Sequence, residues 1–206
     1  MQDTDMNKAF LVFLALTVPI SSSMTLAAPR LSAQSIIVNP VRTDFAVQVW
    51  TDRASNAASI PDYQVGDTIR IYASVNRDAY VYLFNIDPDG TVNLILPNHL
   101  SDGANYLRAG EVRVFPGTQD AFSFDIVAPY GVNKVLALAS EVPLNLNNIV
   151  DFQSQNAQAT GFADVRVTGQ PQLAQALSSA VRSLSQDTWV SDVALYNVAD
   201  EFGNEY

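Results

Sequence analysis

Residues 68–96 read TIRIYASVNRDAYVYLFNIDPDGTVNLIL, and this stretch decides the fold class. Up to Val75, apolar and polar side chains alternate, which is the period of a strand with one buried face. Residues 80–86 are apolar on nearly both faces, as expected of a central strand. Turn sequences at 76–78 and 87–90 separate the apolar runs. The stretch therefore predicts a three-strand antiparallel meander.

Short strand-like runs continue on both sides of this stretch. They cover residues 45–50, 111–115, 122–126, 135–139 and 189–196. Strands this short, separated by turn residues, are typical of a sandwich or a barrel. Residues 171–185 instead repeat apolar side chains at helical spacing, with Pro171 in the first turn. We therefore predict a mainly β protein, an antiparallel β-sandwich that is immunoglobulin-like in general architecture and carries one C-terminal amphipathic helix.

The chain divides into four parts by composition. Residues 1–28 are predicted to be a signal peptide, 29–62 N-terminal strands and a loop, and 63–144 the core β domain. Residues 145–206 begin with a surface segment rich in Asn and Gln and then supply the helix and a return strand. One helix and one strand cannot bury a core alone, so we expect them to pack on the same domain.

The first 28 residues follow the order of a secretory signal. Lys8 precedes the apolar run 9–18, and small residues follow it. That run is shorter than the ~20 residues that a membrane-spanning helix needs, although an uncleaved anchor and a buried helix are the alternatives. Cleavage is predicted near residues 27–28, and Met6 is an alternative first residue. We therefore predict an exported protein of the periplasm, the cell surface or the outer envelope, with no transmembrane segment in the mature chain.

Charge and composition exclude several function classes. The chain carries 21 acidic and 11 basic residues, a formal net charge of −10, and the basic residues are scattered singly. Nucleic-acid binding needs clustered Lys and Arg, so no nucleic-acid partner is expected. The absence of Cys excludes disulfides, thiol nucleophiles and thiolate metal sites. No cofactor is predicted.

Several short sequences between residues 63 and 144 recur in one known family. They are Val65-Gly66-Asp67, Tyr80-Val81-Tyr82-Leu83-Phe84-Asn85, Pro88-Asp89-Gly90, Leu94-Ile95-Leu96-Pro97-Asn98, Ala137-Leu138-Ala139-Ser140 and Pro143-Leu144. By these sequences the chain resembles the bacterial domain-of-unknown-function family 4384, in a stand-alone exported form like those of Deinococcus-type bacteria. Family members occur alone behind signal peptides or appended to kinase-like or protease-like domains. The resemblance therefore implies an accessory or recognition module, and it supplies no catalytic residues.

Few side chains suggest catalysis, and no catalytic residue is predicted. His99, the only histidine, sits in a polar loop, where a Ser-His-Asp arrangement is hard to build locally. Asn85, Asp87 and Asp89 flank a turn and are weak candidates for a calcium site, although turn chemistry alone accounts for them. A hydrolase that uses two carboxylates remains an alternative among 21 acidic residues.

The best binding candidates are Tyr72, Arg70 and Trp50. Tyr72 is expected to share the polar face of its strand with Arg70, and Trp50 lies near a strand end. Aromatic rings in such places can form a platform for sugars or a contact for a partner protein. Cross-strand packing is the alternative role for these rings.

These observations predict a non-catalytic, exported cell-envelope module that mediates contact with another protein, for instance as an accessory to a surface layer or an outer-envelope complex. The first alternative is a module that binds glycan or peptidoglycan, and the second is a carboxylate-dependent hydrolase. The expected partner is an envelope protein or an envelope polysaccharide.

Overall fold

The computed structural model describes residues 37, 39, 41–56, 58–100 and 104–200. The predicted signal peptide lies outside these residues. The strands, in chain order, are β1 Val47–Thr51, β2 Asp62–Gln64, β3 Thr68–Ile69, β4 Ile71–Val75, β5 Ala79–Ile86, β6 Val92–Leu96, β7 Tyr106–Leu107, β8 Val112–Phe115, β9 Phe124–Asp125, β10 Gly131–Ser140, β11 Val150–Asp151, β12 Asp164–Val165 and β13 Trp189–Ala199. The described residues also form helices α1 Gln155–Thr160 and α2 Gly169–Val181. None of these helices is long and apolar enough to cross a membrane.

The smaller main sheet has three antiparallel strands in the order β1-β4-β8. Its burial pattern alternates along β1 and β4, so one face is covered and the other is open. The two-residue strand β3 comes directly before β4 in the chain. It pairs with β9 and forms a separate short ribbon. Residues 116–123 connect β8 of the smaller sheet to β9 of this ribbon.

The larger sheet has the order β2-β13-β10-β5-β6, with β7 paired to β5. The pair of β2 with β13 is parallel, and the other pairs are antiparallel. β13, near the end of the chain, therefore lies inside the sheet and not at its edge. Along β5 and from Val135 onward in β10 most side chains are buried on both faces, which explains their largely apolar sequence.

Two hydrophobic cores lie on the two faces of the larger sheet. The first fills the space between the sheets and includes Val49, Ala73, Leu83 and Ala137. The second lies between the other face and the C-terminal segment, where α2 contributes the side chains Leu173, Ala174, Leu177 and Val181. The molecule thus has three layers: the smaller sheet, the larger sheet, and the segment that contains α2.

The carboxylate of Asp192 on β13 joins the two sheets at one edge. It accepts a hydrogen bond of 2.9 Å from the backbone N–H of Val49 on β1. Burial raises the pKa of Asp192, and the backbone donors of Val49 and Val193 oppose that rise. β2 pairs only with residues 197–199 of β13, so β13 has no sheet neighbour on that side at Asp192. An inward-pointing charge at such an unpaired stretch helps to keep it from pairing with other chains.

The predicted fold class is confirmed, since the described residues are mainly β and form a sandwich of largely antiparallel sheets. The predicted meander is wrong at its first strand. β4 pairs with β1 and β8, and only β5 and β6 form the expected antiparallel pair. Residues 76–78 therefore carry the chain from one sheet to the other, which alternation within each strand does not reveal.

The helices also differ from the prediction in detail. The predicted helix at 171–185 is α2, which begins earlier, at Gly169, and ends at Val181. The segment 145–160, predicted as surface loop, contains the additional helix α1. α1 has six residues and buries only Ala157, so no helical period could show in the sequence.

Candidate functional site

The outer face of the smaller sheet carries Trp50, Tyr72, Val112 and Val114, and we call it the aromatic face. Trp50 lies directly opposite Tyr72 in the ladder, and Val114 is opposite Tyr72 on its other side. The Trp50 and Tyr72 rings are stacked, with centroids 5.5 Å apart and 10° between their planes. The structure thus brings Trp50 and Tyr72 together on one face, whereas Arg70 lies directly before β4 and outside its ladder.

The aromatic face is only partly open. Trp50 and Tyr72 are half-buried, whereas Arg70 is exposed. Val112, on edge strand β8, has 57% of its surface exposed. This arrangement offers a small apolar surface, since stacked rings cover part of each other.

A second candidate lies between the sheets, where a cavity of about 410 Å³ opens at one end of the larger sheet. We call it the Asp87 pocket. Its polar side is formed by the side chains Asn85, Asp87, Asn93, Asn133 and Tyr196. The volume lies within the range of about 300–1,000 Å³ typical of ligand pockets.

Strand register explains why these five side chains meet. Asn85 pairs with Asn93 across β5 and β6, and Asn133 pairs with Tyr196 across β10 and β13. Asp87 follows Asn85 by two residues and so continues on the same side of the sheet. The inner face is therefore apolar along most of its length and polar at this end.

Four of these polar side chains hydrogen-bond to one another, while the amide of Asn133 donates to the backbone carbonyl of Gly131. Tyr196 donates its hydroxyl to Oδ1 of Asn85 at 3.2 Å, and the amide of Asn85 donates to Oδ1 of Asp87 at 2.5 Å. The amide of Asn93 donates to Oδ2 of Asp87 at 3.3 Å. Each carboxylate oxygen of Asp87 therefore has one amide donor and keeps further acceptor capacity.

Asp87 carries charge in a half-buried place. Burial raises the pKa of Asp87, the nearby charge of Asp89 adds to the rise, and the amides of Asn85 and Asn93 oppose it. Burial also raises the pKa of Tyr196, and Asp87 contributes to that rise. Among the described residues, no Lys, Arg or His lines the cavity, and Asp87 takes part in no ion pair.

The other walls of the pocket are mostly apolar, although Ser123, Asp125 and Thr160 also line it. They are formed by Ile69, Ile71, Leu94, Ile95, Phe124, Ile126, Val127, Phe162, Ala163 and Val198. Phe162 contacts Phe122 and Phe124, with ring centroids 5.7 and 6.0 Å apart. Val127 is 67% exposed, so the mouth has an apolar rim open to solvent.

Phe162 is placed in the wall by the end of α1. Gly161 closes this helix with φ of 80°, a left-handed conformation that suits Gly. A Cβ at Gly161 would lie 2.5 Å from the side chain of Leu100. The carbonyl of Gly161 also accepts a hydrogen bond of 2.8 Å from the backbone N–H of His99. This turn therefore holds the chain close to the loop after β6.

The three weak candidates for a calcium site do not lie together. Asn85 and Asp87 lie in the pocket, where they bond to each other, while Asp89 is exposed and accepts from the backbone N–H of Thr91 at 2.8 Å. The described residues hold no group of three or more His, Asp or Glu side chains placed for a metal ion. His99 is exposed and stacks on Phe152, with centroids 5.2 Å apart.

Sequence reasoning missed the pocket, although one signal was present. Val81, Leu83, Asn85 and Asp87 share one phase of alternation, and the change from apolar to polar marks where the inner face leaves the core. Phe162 and Tyr196 carry no comparable signal, since their approach depends on the fold of the whole C-terminal segment.

Residues 62–143 match the family model of a domain of unknown function, DUF4384. This match confirms the resemblance to that family, while the stand-alone exported form stays a prediction. No curated protein and no solved structure gave a match. The DUF4384 match contains β2 to β10, whereas β1, both described helices and β13 lie outside it. Each candidate surface therefore joins the two parts, because Trp50 meets Tyr72 and Tyr196 meets Asn85.

Proposed function

We propose that the protein is a non-catalytic, exported cell-envelope module that holds a partner protein at the Asp87 pocket, as an accessory to a surface layer or an outer-envelope complex. The observation that carries the proposal is a cavity with an apolar rim, in which Val127 has 67% of its surface exposed. An exposed apolar rim around a concave site is typical of a surface that binds another molecule.

The pocket has the features of an anchor site for one side chain of a partner. Its apolar walls include Phe124 and Phe162, and its inner end offers fixed hydrogen-bonding groups. Interfaces gain most of their binding energy where a few anchors fill well-packed pockets and exclude water. The mutual hydrogen bonds of Asn85, Asp87 and Tyr196 hold the polar groups in place before a partner arrives.

A binding role suits this chemistry better than a catalytic one. His99 does not line the cavity, and the half-buried carboxylate of Asp87 is held by two amides. General acid–base catalysis usually pairs such a group with a second titratable group in hydrogen-bond reach of the substrate. The second carboxylate at the pocket, Asp125, is exposed and accepts from the hydroxyl of Ser123 at 2.7 Å.

The aromatic face favours the alternative function, a module that binds glycan or peptidoglycan. The Trp50 and Tyr72 rings are stacked, and the exposed residue Arg70 lies two positions before Tyr72 in the chain. Aromatic faces combined with polar groups suit the apolar faces and hydroxyls of sugars. This surface is separate from the Asp87 pocket, because it lies on the opposite side of the smaller sheet.

Three matched variants distinguish the two functions. Val127→Gln obstructs the rim of the pocket, Val112→Gln alters the aromatic face, and Val142→Gln is the control, since Val142 is 42% exposed and belongs to neither surface. The measurement is retention of the tagged exported chain on envelope fragments, before and after protease treatment of the fragments.

For a protein partner, retention should fall tenfold or more after protease and with Val127→Gln, while Val112→Gln and Val142→Gln behave as the unaltered chain. Retention that survives protease and is lost with Val112→Gln would establish the glycan-binding alternative. Equal retention of the Val127→Gln and Val142→Gln variants would overturn the pocket as the docking site.

A further inference from the structure

The Asp87 pocket combines apolar walls with one half-buried carboxylate that has no cation beside it among the described residues. Removing a carboxylate from water without a cationic partner costs free energy. The upward shift in the pKa of Asp87, caused mainly by burial, is the expected consequence of that cost. A ligand that brings a positive charge to this place recovers part of it.

We propose that the pocket receives a lysine side chain of the partner protein, with its hydrocarbon stem between the apolar walls and its ammonium group at Asp87. This inference rests on the proposed function and names the residue that the partner inserts. The stem would contact Leu94, Phe124, Ile126 and Phe162, which line the cavity. Long basic side chains commonly bury the stem and keep the charged end with polar groups.

The hydrogen bonds of Asp87 favour an ammonium over a guanidinium. Its two oxygens each already accept from one amide, of Asn85 and of Asn93, which leaves one position on each oxygen and restricts the coplanar approach that a bidentate guanidinium needs. A compact ammonium has three donors that can reach one oxygen of Asp87 and neighbouring carbonyl or hydroxyl oxygens. Asn85, Asn93 and Tyr196 place such oxygens along the same side of the cavity.

The charge of the whole molecule supports the same choice. The chain has a formal net charge of −10, so its field draws basic partners and repels acidic ones. A neutral apolar side chain would fill the space between the apolar walls but leave Asp87 without a counter-charge. An acidic side chain would place two negative charges together in the pocket.

The test titrates three blocked amino acids into the exported chain and follows backbone amide signals by NMR. The probes are the N-acetyl N′-methylamides of lysine, norleucine and arginine, of which norleucine has the same stem without the charge. We expect the lysine probe to bind at least tenfold more tightly than norleucine and more tightly than arginine, with shifts at β5, β6 and residues 122–128. This comparison needs no variant, so it does not depend on the folding of one.

Two variants then assign the preference to Asp87. Asp87→Asn should reduce the lysine preference over norleucine to less than about threefold, while Asp89→Asn, which removes the same charge from an exposed neighbour, should keep most of it. Equal affinity for lysine and norleucine, or a preference that survives Asp87→Asn, would overturn the inference. Tighter binding of arginine would overturn the choice of lysine.

The outcomes for the inference and for the proposed function are distinguishable. If Val127→Gln abolishes retention on the envelope but the lysine probe shows no preference, the docking function stands and the lysine anchor is wrong. If the lysine probe binds as expected but Val127→Gln leaves retention unchanged, the pocket binds free amines and the partner-derived lysine is overturned.

Discussion

The aromatic face and the Asp87 pocket are built in opposite ways. On the aromatic face, Trp50 and Tyr72 are direct neighbours across two paired strands, and the simple alternation of each strand turns them outward. The pocket instead draws on β3 to β6, residues 122–128, the turn after α1 and β13. The surface made within one sheet therefore depends on strand pairing, whereas the pocket depends on how distant segments of the chain are held together.

The largest expected effect concerns one of these distant segments. Gly161→Ala places a Cβ at a residue with φ of 80° and 2.5 Å from the side chain of Leu100. We expect a loss of stability of about 2 kcal/mol, combining left-handed backbone strain with the displaced contact. Urea unfolding measures the loss, and weaker binding of the lysine probe would report the shift of Phe162.

The matched control is Gly110→Ala. Gly110 has a similar φ of 77°, but a Cβ there would meet nothing within 4 Å. This variant therefore carries the backbone strain alone, about 1 kcal/mol. If the two variants lose the same stability, the contact with Leu100 does not constrain the turn, and the pocket wall is less dependent on it than the structure indicates.

The second effect compares two tyrosine hydroxyls, one in each region. Tyr196→Phe removes the donor to Oδ1 of Asn85 from a side chain that is only 6% exposed, so we expect a loss of about 1 kcal/mol. Tyr72→Phe should change stability by less than about 0.5 kcal/mol, because the Tyr72 hydroxyl makes no hydrogen bond to the described residues and the ring is retained. Thermal or urea unfolding of both variants measures the difference. A larger loss for Tyr72→Phe would contradict the contrast between a buried network and an open face.

The aromatic face was predictable from the sequence in part, whereas the Asp87 pocket was not. Alternation predicted the sandwich and placed Tyr72 on the polar face of its strand, because side-chain direction in a strand depends only on position. It did not reveal that β4 belongs to the smaller sheet and β5 to the larger one, because pairing partners depend on long-range contacts. For the same reason, the approach of Phe162 and Tyr196 to Asn85 was not predictable from local pattern.

A third effect tests whether the aromatic face is a local structure. Stacked cross-strand rings stabilise each other, so a double-mutant cycle of Trp50→Ala and Tyr72→Ala should give a coupling of about 0.5–1 kcal/mol. The comparison cycle combines Trp50→Ala with Tyr196→Phe, whose side chains lie on opposite sides of the smaller sheet. Its coupling should stay within about 0.5 kcal/mol. Strong coupling in this second cycle would show that the two regions are not independent.

The smallest effect is the pH dependence that Asp87 gives to stability. Because the pKa of Asp87 is raised in the folded chain, the folded form binds more protons than the unfolded form between the unfolded and folded pKa values. Stability from this group is therefore lost as pH rises through that window. The neighbouring groups are Asp89, whose charge adds to the shift, Tyr196, and Asp125 at the rim.

The measurement compares Asp87→Asn with the unaltered chain by urea unfolding from about pH 3 to about pH 7. The stability of Asp87→Asn relative to the unaltered chain should increase as pH rises, because the variant never acquires the desolvated charge. Carboxyls whose pKa is lowered act in the opposite sense in both proteins, so the difference between the proteins removes their contribution. They are Asp67, Glu111, Asp151, Asp164 and Asp187. As a control, the difference in stability between Tyr72→Phe and the unaltered chain should not change with pH. If the difference for Asp87→Asn is also independent of pH, the pocket does not hold its carboxylate away from water.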